Sequence, residues 1–284
     1  MRKPSDRATR NGGWLHVLRF DDLLHKSRHT LKPQPTPTQT TKADADHLHA
    51  IYSRLLSLLS LEPSHRADLR RRGLSNAEIE RIGFASMPSR QDAVAVVEHL
   101  APLDLEGAPG FFREAGRCQM VNYDNRYFVP YRDVRGRIVG MQLKEINKKY
   151  IWFSSLERPG GTGSGSPLHF ARPELINDEI LLTEGALKAS VISYFTHSPV
   201  IAAAGVQIFP SDFAQTLKAE FPQLRRVTVT FDSDLFEKHQ VFAALERLIT
   251  QLERARFNVR VRTWADGFKG YDDYLAAQFE QEVA

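Results

Sequence analysis

Glu184 closes an apolar run, residues 180–183, in the stretch "ILLTEGALKAS", and Gly185 and a helix-forming run follow it. A carboxylate where a strand hands over to a helix projects from the C-terminal edge of a parallel sheet, the place where open α/β folds hold ligands. The glycine behind it lets the backbone turn sharply. A second acidic pair, Asp232 and Asp234, follows the apolar run 227–231 in "VTVTFDSDLF". Asp-x-Asp spacing can aim two carboxylates the same way from an extended or turning backbone. Three carboxylates on one edge repel each other unless a cation sits among them, and hard oxygen donors suit Mg²⁺ or Mn²⁺. "KGYDDYL" places Asp272 and Asp273 after the last strand-like run. The Lys269-Gly270 turn would aim Asp272 at the cleft, where it could help hold a second ion, as two-metal phosphoryl chemistry requires. The other carboxylate, Asp273, would cap the helix that follows. Taken singly, each motif reads as a cap or turn former. The two strand-end motifs in βα order on one sheet favour the metal site.

The elements that must position these groups alternate. Strand "ILLT" precedes a helix over 185–196, strand "VIAAAG" a helix after Pro210, and strand "VTVTF" a helix over 239–255 with Val241, Leu245, Leu248 and Leu252 on one face. Strand "VRVRTW" ends the series. Continuous apolar strands alternating with helices predict a parallel, Rossmann-like sheet with covered faces. Upstream, "RYFVPYRD" and "RIVGMQLK" read as a hairpin and "KKYIWFSS" as a third strand. "RPGGTGSGSP", residues 158–167, has no following Lys-Ser/Thr and is not a P-loop; it reads as a mobile loop, with an anion nest as the alternative. Residues 44–100 are mostly helical, with Ser75 and Glu78 at capping-box spacing. Residues 30–42 form a Pro/Thr/Gln-rich linker. The segment "WLHVLRFDDLLHKS" before it reads as a helix that docks elsewhere. The expected division is 1–43 N-terminal segment and linker, 44–100 helical region, 101–178 mixed α/β basic subdomain, and 179–284 parallel-sheet subdomain.

Among 284 residues, 42% are hydrophobic and 25% charged, as in ordinary soluble globular chains. The single cysteine excludes an intrachain disulfide framework and leaves no basis for a cysteine zinc site, and it fits a reducing cytoplasm. No apolar run is long enough for a signal peptide or membrane span. Residues 1–90 carry 16 Lys/Arg against 9 Asp/Glu, and the remainder is net acidic. A basic first third beside an acidic last third suits a phosphate-backbone ligand and a metal site, or is a solvated surface without a partner.

Strand-Glu-Gly-helix followed by strand-Asp-x-Asp resembles the Toprim domain of bacterial primases, type IA and II topoisomerases and several nucleases. "RRGLSNAEIERIGFASMP", "DNRYFVPYRDVRGRIVGMQLK", "KKYIWFSS" and "KGYDDYL" resemble successive segments of bacterial primases, so the likeness spans roughly residues 66–276. "TEGALKA", "SGSPLHF", "KYIWFSS" and "KGYDDYL" together look more closely like the primase-like Toprim proteins of plasmids, phages and integrated mobile elements. The resemblance implies a Toprim subdomain preceded by a mixed α/β primase-like subdomain and a helical region. It implies Glu184 as metal ligand or general acid/base, and Mg²⁺ on Asp232 and Asp234. Arg126, Lys144 and Lys149, with Lys148 beside them, would bind template and nucleotide. Lys188 belongs to the mobile-element pattern, and its bland role is to pack its stem and expose its head. Lys269 joins the basic set.

Two departures are expected: no zinc module, since one cysteine cannot build it, and no C-terminal helicase-interaction domain. The implied activity is metal-dependent nucleotidyl transfer with two Mg²⁺ or Mn²⁺ ions and no zinc. It would make short RNA primers on single-stranded DNA from nucleoside triphosphates for a mobile element, with a replicative helicase or other replication protein as partner and no membrane. The alternatives are a Toprim nuclease, in which the same carboxylates activate water, and a non-catalytic module that binds DNA or a replication factor. A topoisomerase is disfavoured because no catalytic-tyrosine domain is evident.

Overall fold

The structure is a computed structural model that describes residues 7–8, 14–15, 40–233 and 239–283. The chain divides into a unit over Met1–Thr36 and a unit over Pro37–Ala284. In the first, β1 (Arg7–Ala8) pairs antiparallel with β2 (Trp14–Leu15). Trp14 and Leu15 are thus in a strand rather than in the expected helix, and the rest of that segment lies outside the described residues.

The second unit opens with α1 (Ala45–Ser57), α2 (Pro63–Arg71), α3 (Asn76–Ile82) and α4 (Arg90–Leu100). Their starts follow from local chemistry. Asp44 accepts from the His47 N–H at 2.9 Å, Pro63 sits at the first helical position, and Ser75 accepts from the Glu78 N–H at 3.2 Å. The capping box stays half-made. The Glu78 carboxylate is instead held by Arg81 at 2.6 and 2.8 Å and by Arg172 at 3.2 Å. The apolar face of α1 (Leu48, Ile51, Tyr52, Leu55) packs on a four-stranded antiparallel sheet ordered β3 (Ala85–Ser86), β6 (Tyr127–Arg132), β7 (Ile138–Lys144), β8 (Ile151–Trp152). The β6–β7 hairpin is the expected one, and its turn is fastened by Asp133, which accepts from the Arg135 and Arg137 N–H groups at 2.9 Å. A smaller hairpin, β4 (Phe111–Glu114) with β5 (Arg117–Met120), lies beside α4.

The second sheet has five strands ordered β13 (Asn258–Val261), β12 (Arg226–Val229), β10 (Glu179–Glu184), β11 (Val200–Ala203), β9 (His169–Ala171). Four run parallel, and β9 closes the edge antiparallel. The helices between them are α5 (Ala186–Thr196), α6 (Phe213–Glu220) and α7 (His239–Arg254), followed by α8 (Tyr271–Val283). The β strands bury Ile180, Leu182, Val227 and Val229 beneath Leu245, Leu248 and Leu252 of α7. A third core joins the two sheets: Leu69, Leu74, Ile79 and Phe84 pack with Tyr127, Val129 and Tyr131 against Ala186, Leu187 and Val191 of α5. Thus the first turns of α5 rest on the face of β6, and the two halves of this unit form one continuous body around the N-terminus of α5. Among the described residues, no helix is long and apolar enough to cross a membrane.

The glycine- and serine-rich loop is built in, not merely mobile. The Thr40 N–H donates to Gly161 O at 3.2 Å, Thr162 Oγ1 donates to Thr40 O at 3.1 Å, and Lys42 Nζ donates to Ser164 O at 2.6 Å. Any side chain on Gly161 would overlap the Ser155 carbonyl, so glycine there answers a close backbone approach.

Candidate active site

The acidic residues are placed by register. β10 and β12 are parallel neighbours with Leu182 beside Val229. Glu184, the last residue of β10, and Asp232, just past β12, therefore leave the sheet at the same C-terminal edge. Two threonines tie these strand ends together: Thr183 Oγ1 donates to Thr230 O at 3.1 Å, and Thr230 Oγ1 donates to Leu182 O at 3.0 Å. Gly185 has φ +78°, and a Cβ there would meet nothing within 4 Å. The position requires glycine for its backbone angle, not for space. Its N–H donates to Ala203 O at 2.7 Å, which turns the chain into α5.

The third acidic element comes from the other side of the edge. The Ser233 N–H donates to Lys269 O at 2.9 Å, docking the 268–270 turn beside Asp232. α8 begins at the next residue, and Asp272 in its first turn is 2% exposed. Asp273 is exposed, so the two adjacent carboxylates divide between cleft and solvent. Asp234 lies outside the described residues.

Between the carboxylates stands Lys188, in the first turn of α5. Its ammonium is paired with Asp232 Oδ1 and lies 3.9 Å from Asp272 Oδ1. Lys269 Nζ approaches Asp232 Oδ2 at 3.8 Å. Burial, the largest effect, works to lower the Lys188 pKa, but the Asp272 and Asp232 carboxylates outweigh it and raise it above the ordinary value. Burial pushes the Asp272 carboxyl up to about 6, reinforced by Asp273 and Asp232 and opposed by Lys188 and Arg72. Asp272 Oδ1 is buried without a hydrogen-bond partner.

Of the expected basic residues, Lys188 and Lys269 join the acidic edge. Lys148 and Lys149 are exposed in the turn after β7. Lys144 departs from the expectation of an exposed face. It is 5% exposed, its Nζ donates to Lys148 O, and it sits 4.8 Å over the Tyr150 ring. Burial, then Arg72, lowers its pKa. The reason is strand alternation: Lys144 pairs with Tyr127 on the side that faces the joining core. Arg126 bonds Glu145 Oε2 at 3.1 Å and lies 5.6 Å from the Tyr123 ring.

Sequence reasoning missed Arg72. It follows α2, is held by Asp68 at 3.5 Å, and acts electrostatically on Asp272 and on the buried Tyr150, whose pKa burial raises to about 12. The Arg72–Gly73 turn is seated against the second half of the unit: Gly73 has φ +90°, and a Cβ there would lie 2.5 Å from the Phe195 ring of α5. A run of three arginines ending in glycine was the visible signal, but its partner lies more than a hundred residues away.

A cavity of about 1080 Å³ is separate from the acidic edge. It lies among α4, the β4–β5 hairpin and residues 158–160, with Arg90, Arg113, Arg117 and Arg158 on its walls. Tyr123 lines it too and links it to Arg126.

The fold is shared with bacterial primase catalytic cores. The zinc-binding and RNA polymerase domains of the Aquifex aeolicus primase superpose with a TM-score of 0.64 at 20% identity, over 85% of this chain and 60% of that one. The RNA polymerase domain of Mycobacterium tuberculosis primase DnaG, in complex with a double-stranded DNA oligomer bearing a 6-nucleotide overhang, gives 0.60 at 14% identity, over 85% and 81%. The E. coli primase catalytic core gives 0.54 at 20% identity, over 82% and 80%. The chain thus spans about three fifths of the Aquifex structure. A family model described as a domain of unknown function, DUF3854, matches residues 174–282, which hold β10 to β13 and all the acidic motifs. No curated protein matches the sequence.

Proposed function

We propose that the chain is a primase-type nucleotidyltransferase that makes short RNA primers on single-stranded DNA, in the service of a mobile element. The observation that carries this reading is that Glu184 and Asp232 leave one C-terminal sheet edge of a primase-core fold, with Lys188 between Asp232 and the buried Asp272. We assign Glu184, Asp232, Asp234 and Asp272 to metal binding. Among the described residues, no three His, Cys, Asp or Glu side chains form a metal cluster by themselves. The donor chemistry nevertheless fits a hard divalent ion. Asp272 Oδ1 is buried without a partner, and Gly270 leaves clear a space that a Cβ would fill, where it would overlap that oxygen and lie 3.4 Å from Asp232 Oδ1. A bound Mg²⁺ or Mn²⁺ supplies charge to a triphosphate and lowers the pKa of an attacking hydroxyl.

The remaining work falls to the chain. Lys269 and Arg72 flank the edge with positive charge for phosphates. Lys149 offers an exposed ammonium to the template backbone, Lys148 beside it is exposed but paired with Glu145, and Tyr123 beside Arg126 gives a stacking face where the basic cavity begins. Lys144 supports this surface from within through Lys148 O. The 44–100 helical region and the 101–178 subdomain form the template side, and 179–284 the reaction side. A nuclease would use the same carboxylates, and a non-catalytic module would use none. Incubation with single-stranded DNA and Mn²⁺, with and without labelled nucleotides, separates the three. Short labelled products that require nucleotides support the primase reading; shortened template without nucleotides, or no change at all, contradicts it.

A further inference from the structure

We propose that Lys188 is a built-in cation of this site: its ammonium fills the gap between Asp232 and Asp272, so the described edge takes one divalent ion where a two-metal site would take two. This rests on reading the edge as a metal site and departs from the two-ion expectation of the sequence.

Four observations converge on it. The ammonium pairs with Asp232 and stands 3.9 Å from Asp272 Oδ1, so it already bridges the two carboxylates that a second ion would have to bridge. The side chain is mostly enclosed, with 20% of it exposed. Gly270 borders the same space: a Cβ on it would lie 3.1 Å from Lys188 Nζ and 3.4 Å from Asp232 Oδ1, so the ammonium already stands in the gap that the glycine leaves clear.

The fourth is position. Lys188 is the third residue of α5. A cation in the first turn sits at the unfavourable end of the helix dipole. A lysine kept there needs the facing Asp232 and Asp272 to hold it. Charge balance agrees. Lys188 and Lys269 offset two of the three carboxylates Glu184, Asp232 and Asp272, so one divalent ion more than neutralises the remaining negative charge, and a second would only enlarge the positive excess.

The test is a Mn²⁺ titration of the full chain, with free Mn²⁺ counted by electron paramagnetic resonance at neutral pH. The set is wild type, Lys188→Gln, Lys188→Arg and the double variant Lys188→Gln/Asp272→Asn, each checked for folding by circular dichroism. The expected result is one ion for wild type and for Lys188→Arg, two for Lys188→Gln, and one again for the double variant. Two ions on wild type, or one ion on a folded Lys188→Gln, overturns the inference and leaves the metal site standing. No ion on any variant overturns the metal site and the inference together. If Lys188→Gln fails to fold, two ions on Lys188→Met supports the inference and one overturns it.

Discussion

Asp272→Asn, studied without divalent ions, isolates the cost of holding this edge charged. Burial foremost, aided by Asp273 and Asp232, raises the Asp272 carboxyl from the usual 3.8 to about 6. A carboxyl raised in the folded state contributes its full stability below the unfolded value and loses it as pH climbs through the folded one. At about 1.4 kcal/mol per pH unit, the interval between the two values corresponds to about 3 kcal/mol against the folded wild type above pH 6. Asparagine keeps the shape of the protonated acid and carries no charge. The variant should therefore match wild type near pH 4 and exceed it at pH 7.5 by about 3 kcal/mol, which for a domain of this size is about 6–12 °C in Tm. Thermal melts in EDTA at pH 4, 5, 6 and 7.5 measure the gap. A gap that stays constant with pH, or a wild type that is the more stable at pH 7.5 in EDTA, refutes the reasoning.

Gly73→Ala should destabilise by about 2–4 kcal/mol in urea melts, from left-handed backbone strain plus overpacking against Phe195, and adding Phe195→Leu should recover part of the loss. Lys148→Glu with Lys149→Glu should weaken single-stranded DNA binding and lower the salt slope by about 1.4, on about 0.7 per phosphate contact, as read by fluorescence anisotropy from 50 to 200 mM salt. Ser75→Ala should cost about 1 kcal/mol of stability through the lost cap and leave metal binding unchanged.

The sequence made the acidic edge legible because its signals are local. An apolar strand ending in Glu184-Gly185 and another ending in Asp232 fix their own geometry, and parallel pairing brings them to one edge. The alternation of strands and helices likewise carried the second sheet, apart from β9, whose three residues are too short to show a period. What stayed hidden depends on distant contacts. Lys188 looked like a surface lysine because Asp272 is far along the chain. Lys144 read as exposed because nothing in "MQLK" reveals the Tyr150 ring over its ammonium. The loop at 158–167 looked mobile by composition, yet Thr40 and Lys42 fasten it. Arg72 is held by Asp68, and the Gly73 beside it packs on Phe195, contacts far along the chain.

The most direct measurement is incorporation of labelled ribonucleotides on mixed single-stranded DNA templates with Mg²⁺ or Mn²⁺, run side by side for wild type, Glu184→Gln and Asp232→Asn. The account expects short, template-dependent products from wild type and their loss in both variants, with folding and DNA affinity unchanged. Products of equal yield from all three proteins, or none from wild type with either ion across all templates, would contradict it.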